Sequence, residues 1–325
     1  MSIYILSKIN QQAYNNISSA VLELKTHACV PKMNIEETLY LYKKVLSESP
    51  LGYLYNQNEI HVSYGLKSSN INFEFCRDAL ERRITVDTYI YNEMNDIIGE
   101  AISKSSLYEK VEYIYRYFVE NFTYASSEMN NQKYHSAVSV FLYRKSVCEG
   151  FALAMSLILN RLGILCGIVV GTGYFEGVKV PHAWNIVEID SQYYHLDVTW
   201  DICLKISGSV IYDYFLLDAG TMENDHYWED SSIPLADDKS MDWYRRNKHF
   251  CISEEEIRFN LENDLKKCVT NIGIRCEYGL KDKYVSTKYA KKIFDDVTSR
   301  LNISYSKVSC QSNQTAGTIK YVIEY

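Results

Sequence analysis

The chain has 325 residues, with 34 lysines and arginines against 41 aspartates and glutamates, for a net charge of −7. Hydrophobic residues make up 47% and charged residues 23%, the balance of an ordinary globular protein long enough for two or three domains. The acidic excess speaks against a general nucleic-acid or anionic-membrane surface, and no apolar run is long enough to span a bilayer.

Nine cysteines, an odd number with no Cys-x-x-Cys pair, fit a reducing compartment better than a disulfide framework. Met1 to Lys8 lack a charged segment followed by a long apolar core, so no secretory signal is visible and a cytoplasmic address is expected.

Taken in order, residues 1 to about 76 read as a small α/β unit. A polar helix over 7–18 precedes a strand over 21–27, an amphipathic helix over 34–48, and strands over 59–64 and 71–75. A connecting helix over 76–83 leads to two further helices over 92–102 and 106–121, and then to a polar loop over 125–134. Ser146-Val147-Cys148-Glu149 has the form of a capping box, with Ser146 as N-cap. Phe151, Met155, Ile158, Leu159 and Leu162 follow at helical spacing, and Gly163 supplies a stop. Cys148 is thus expected in the first turn of a buried helix, where unpaired N–H groups and the helix dipole favour a thiolate.

Two alternating segments follow, 182–189 and 193–201, with Asp190-Ser191 at the turn between them. If those residues form the turn, paired positions sum to 381, and Asp197 lies opposite Trp184 with His182 as its diagonal neighbour, roughly 7–8 Å away at the backbone. Ala183, Val187, Ile189, Leu196, Val198 and Trp200 read as the core face. Residues 202–210 read as a loop and 225–242 as an acidic, solvated one. At the C-terminus, Ser253 caps a helix over 254–269. A strand over 272–278, a helix over 286–301 and strands over 303–310 and 318–325 complete the chain. Both ends therefore read α-β-α-β-β, an internal duplication that divides the chain into 1–80, 81–250 and 251–325.

A thiol at a helix start and a histidine–aspartate pair on strands have the form of nucleophile, base and orienter. Their surroundings resemble the bacterial transglutaminase-like proteins. The shared blocks are Val147-Cys148-Glu149-Gly150-Phe151-Ala152, His182-Ala183-Trp184-Asn185 and Tyr194-His195-Leu196-Asp197-Val198-Thr199-Trp200-Asp201. His135-Ser136-Ala137, Tyr212-Asp213-Tyr214-Phe215 and Asp225-His226-Tyr227-Trp228 also resemble the family, over roughly residues 107–250.

The resemblance implies an α+β fold with a papain-like core, in which a helix bearing the cysteine packs on an antiparallel sheet bearing histidine and aspartate. It implies Cys148 as nucleophile, His182 as general base and Asp197 as orienter. Backbone N–H at Cys148, with His135 or Tyr134, would form an oxyanion hole, and Trp184 and Asp201 would border the substrate cleft. The expected function is thiol acyl transfer on peptide or protein amides through a thioester: a cysteine peptidase or deamidase, or a transglutaminase. No metal and no cofactor is expected.

The alternative is a catalytically silent scaffold or peptide-binding protein on the same fold. The flanking modules are expected to brace the core or bind a protein partner. Phe151, Ser191 and Ile202-Cys203 depart from the family's usual Tyr, Gly and nearby proline.

Overall fold

The computed structural model describes residues 8–49, 51–86, 90–175, 177–205 and 209–325. Ser7, at the start of the first expected helix, and residues 206–208 of the expected loop lie outside them.

The chain begins α1 (Lys8–Leu22), β1 (His27–Pro31), α2 (Ile35–Glu48), β2 (Tyr55–Tyr64) and β3 (Ser68–Phe75). Then come α3 (Ala79–Thr85), α4 (Tyr91–Ile102), α5 (Leu107–Asn121), β4 (Thr123–Tyr124), α6 (Ala137–Tyr143), β5 (Lys145–Ser146) and α7 (Cys148–Arg161). The middle continues with β6 (Cys166–Phe175), β7 (Val178–Ile189), β8 (Gln192–Leu196), α8 (Val198–Leu204), α9 (Ala219–Met222) and β9 (His226–Tyr227). Last come α10 (Trp243–Arg246), β10 (Phe250–Cys251), α11 (Glu254–Lys266), β11 (Asn271–Cys276), α12 (Lys281–Tyr284), α13 (Thr287–Leu301), β12 (Lys307–Asn313) and β13 (Thr318–Glu324). The fold is α+β. Among the described residues no helix is long and apolar enough to cross a membrane.

Packing divides the chain into two compact units. The first takes the described residues of Met1–Ser105, Phe122–Ile168 and Asp230–Ile233; the second takes Ser106–Asn121, Val169–Glu229 and Pro234–Tyr325. The boundary runs through the stretch read from sequence as one middle domain.

In the first unit the N-terminal sheet has the order β1-β3-β2, all antiparallel. Ile71 and Phe73 of β3 turn inward while Asn70, Asn72 and Glu74 face out, the alternation of a half-buried strand. Asn34 caps α2 by accepting the Glu37 N–H at 2.8 Å. Helix α7 is largely apolar and buried, as expected of 147–162, and ends at Gly163, whose φ of +75° suits a residue without a Cβ.

Its start differs from the expected capping box. Val147 is the N-cap and makes no side-chain cap bond. The Ser146 hydroxyl instead donates to the Tyr134 carbonyl at 2.6 Å and pairs with Ser139 Oγ at 2.7 Å. Glu149 turns away to His135. A Cβ on Gly150 would sit 2.0 Å from Ser146 Oγ, so the glycine makes room for this hydroxyl pair.

In the second unit the sheet order is β8-β7-β6-β9, and the C-terminal sheet runs β10-β11-β13-β12. Leaving aside β10, the C-terminal order of first, third and second strand repeats that of the N-terminal module. Ser253 caps α11 as expected. The two modules differ on one face of their sheets. In the C-terminal module Arg275 and Lys320, on the face away from α11 and α13, are buried. Lys320 Nζ donates to Asp213 at 2.5 Å, and Arg275 pairs with Asp242 and with the Asp213 carbonyl.

Candidate functional site

The hairpin of β7 and β8 builds the site. Asp190 and Ser191, with φ of 50° and 64°, form the tight turn, and the pairs run from Ile189↔Gln192 to Asn185↔Leu196, each summing to 381. The second strand is shorter than expected. It stops at Leu196 because the Asp197 side chain caps α8, its Oδ1 accepting the Thr199 and Trp200 N–H groups at 2.9 and 3.1 Å. Val198 and Trp200 are buried as expected, but from a helix rather than a strand.

The other carboxylate oxygen, Asp197 Oδ2, accepts from His182 Nε2 at 2.5 Å and from His226 Nε2 at 3.0 Å. His226 arrives on β9, paired to Gly173 of β6, and its Nδ1 meets Asp225 Oδ1 at 2.6 Å. With a carboxylate at each ring nitrogen, His226 must be an imidazolium to donate to both. Burial works against that charge, but the bonds to Asp197 and Asp225 prevail and raise its pKa. Burial likewise opposes the Asp197 charge, and His182 and then His226 hold that carboxyl well below the usual range.

His182, Asp197 and His226 are 5%, 1% and 0% exposed. Trp200 covers both imidazoles, with ring centroids 4.3 Å from His182 and 4.7 Å from His226. A Cβ on Gly173 would sit 2.4 Å from the Trp200 ring, and one on Gly171 would sit 2.1 Å from the Tyr227 carbonyl. These glycines give clearance for the ring and the carbonyl. The ligating atoms of the three residues lie within 4.8 Å of one another, close enough for a metal, but the short separations are those of shared protons.

The remaining candidates fall elsewhere. Trp184 is buried and donates its Nε1–H to His195 Nδ1 at 3.1 Å, while burial and the neighbouring His226 lower His195 to about 3. Asp201 is buried in α8, accepting from the Tyr115 hydroxyl at 2.5 Å and the Tyr214 N–H at 3.2 Å. The stretch 225–242, expected as a solvated acidic loop, buries Asp225 and Asp242 at its two ends against cations.

In the first unit, Cys148 is half-buried at the first position of α7. Its neighbour Glu149 accepts from His135 Nδ1 at 2.8 Å, and His135 Nε2 donates to the Met129 carbonyl at 2.8 Å. The Glu149 bond raises the pKa of His135, against burial, and a Cys148 thiolate would raise it slightly further. The carbonyl of buried Tyr134, not its ring, is what meets this helix start, accepting from Ser146 Oγ and the Val147 N–H.

Residues 97–198 match the transglutaminase-like superfamily. That span holds Cys148, His182 and Asp197 and supports a fold of the transglutaminase and papain kind; it ends before His226. Three solved structures are similar over part of their length. One is described as a TGase, at 22% identity and a TM-score of 0.30, over 47% of this chain and 46% of that one. A candidate cysteine protease from Cytophaga hutchinsonii has 16% identity and a TM-score of 0.30, over 43% and 61%. A candidate protease from Parabacteroides distasonis has 11% identity and a TM-score of 0.26, over 43% and 39%. This chain thus spans about half the length of the solved proteins it resembles. No curated protein matches it.

The convergent group among the described residues is His182–Asp197–His226, two imidazoles and a carboxylate without a thiol. This overturns the expected Cys–His–Asp triad. With it go the papain-like core built around a cysteine, the cysteine-hydrolase or acyltransferase assignment, and the thioester intermediate. The physical reason is the second imidazole: Asp197, expected to orient one histidine, is shared by two and by the end of a helix. His226 stood in the Asp225-His226-Tyr227-Trp228 block all along, but its place beside Asp197 depends on pairing between β6 and β9, which strand periodicity does not reveal.

Proposed function

We propose that this chain is a binding or scaffold protein on a transglutaminase-like fold, silent in thiol catalysis. One observation carries the reading. Asp197 accepts four hydrogen bonds, two from imidazoles and two from backbone N–H groups, in a buried site roofed by Trp200. A carboxylate held this way acts as a structural node that ties β7, α8 and β9 together. The division into 1–80, 81–250 and 251–325 gives such a protein two flanking modules for holding a partner.

The test compares wild type with Cys148→Ala, His182→Ala and Asp197→Asn in two assays. Iodoacetamide labelling of Cys148 across pH is expected to proceed no faster than for a free thiol and to ignore the His182→Ala change. Incubation with a peptide library, with and without a primary amine, is expected to give no product that depends on Cys148. Cleavage, loss of ammonia or an amine adduct that vanishes in Cys148→Ala would overturn the reading.

A further inference from the structure

The Asp197 node also has the ligand set of a metal site. His182 Nε2, His226 Nε2 and Asp197 Oδ2 lie within 4.8 Å of one another. Oδ2 stands 2.5 Å from the His182 nitrogen and 3.0 Å from that of His226. Around a tetrahedral zinc ion, with bonds of about 2.1 Å, such atoms stand roughly 3.4 Å apart. Exchanging the shared protons for zinc therefore opens each carboxylate–imidazole pair by less than about 1 Å. Spacing along the chain matches no zinc pattern, because His226 joins the other two only through β9.

The groups that would hold those ligands in place are already arranged. Asp225 Oδ1 meets His226 Nδ1 at 2.6 Å, and Asp225 Oδ2 accepts from the Tyr214 hydroxyl at 2.5 Å. A carboxylate on the far ring nitrogen fixes the tautomer and makes the near nitrogen a stronger ligand. Asp197 Oδ1 is taken by the Thr199 and Trp200 N–H groups, which leaves Oδ2 as one fixed ligand atom. Asp197 and Asp225, both buried, together carry the negative charge that balances a dication.

We propose that His182, His226 and Asp197 bind one zinc ion. With Trp200 against both imidazoles, a low coordination number fits: three protein atoms and a water, rather than the six or more oxygens that calcium or magnesium demands. On binding, His226 releases its Nε2 proton to solvent and keeps the Nδ1 proton for Asp225. His182 vacates its Nε2 in the same way, and nothing is oxidised or reduced. The proposal deepens the binding reading above and rests on it, since a His182 that ligates zinc cannot serve a thiol.

The experiment strips the full-length protein with a chelator and titrates it with Zn²⁺ against a chromophoric competitor, and with Co²⁺ followed by visible absorption. One zinc per chain is expected, with a four-coordinate cobalt spectrum free of sulfur-to-cobalt charge transfer. His226→Gln should abolish binding, and Asp225→Asn should weaken it about 10–100-fold. Cys148→Ala should leave it unchanged. Because changes at the node can unfold the chain, imidazole ¹⁵N NMR of wild type supplies a second readout: zinc should shift two of the seven histidines.

Absent zinc binding, sulfur charge-transfer bands, indifference to both node variants, or fewer than two shifted imidazoles would overturn the site. The underlying reading fails separately. A Cys148-dependent product from the zinc-free protein, with zinc still binding, sinks the silent scaffold; no product and no bound zinc sinks the metal site alone.

Discussion

Asp201 lies one helical turn beyond Asp197, yet its electrostatic fate is the opposite. Burial, with Asp213 next, pushes its carboxyl up to about 8, and its Oδ1 is buried without a hydrogen-bond partner. Tyr115, Tyr214, Asp213, Tyr244 and Lys320 surround it. A carboxyl raised in the folded state binds its proton there while the unfolded chain has already released it. Its contribution to stability is therefore full below the ordinary aspartate value of 3.8 and is lost as pH climbs toward 8. Asn mimics the protonated acid. Urea denaturation is expected to show Asp201→Asn gaining stability over wild type at pH 8 relative to pH 5. An equal shift at both values would show that Asp201 is ionised throughout.

Single residues were the least legible part of the sequence. His182 and Asp197 were found as a diagonal pair because both sit on one hairpin. His226 lies 29 residues after Asp197 on a two-residue strand, too short for any periodicity to point inward.

The hairpin was legible as an element because a two-residue turn leaves one register, and in that register Ala183, Val187, Ile189 and Leu196 are buried on the expected face. Helix α7 was legible for the same kind of reason, having an apolar run and a glycine stop. The capping box failed because Ser146 is committed elsewhere, its hydroxyl bonded to the buried Tyr134 carbonyl and paired with Ser139 Oγ. Gly150 is the element's sensitive point. A methyl group there meets Ser146 Oγ at 2.0 Å and the carbonyls of Ser136 and Tyr134 at 2.9 Å each. Gly150→Ala is expected to cost about 1–3 kcal/mol by overpacking. Thermal melting checks this, and an unchanged melting temperature would mean that the helix start shifts freely.

At the scale of the whole molecule, helices and strands at both ends follow from local periodicity, but the strand expected over 21–27 is the end of α1 and a turn, and β1 starts only at His27. The division into two units was not legible, because it depends on long-range packing. Nor was the ionic seam under the C-terminal sheet. Asp213, 0% exposed, accepts from Lys320, Tyr244 and Thr318 at 2.5, 2.7 and 2.9 Å. Removing one partner strands the other without water. Lys320→Met or Asp213→Asn alone should cost about 3–5 kcal/mol. The double variant should cost clearly less than the sum. Strict additivity in denaturant titrations would show that the two charges do not depend on each other.

The two modules consequently have different freedoms. Asn70, Asn72 and Glu74 of the N-terminal module look into solvent, so that ribbon can change its chemistry without disturbing what lies behind it. The C-terminal module lacks that liberty, because Arg275 and Lys320 are buried and paired there. Novelty, for this chain, has an open door at the front and a bolted one at the back.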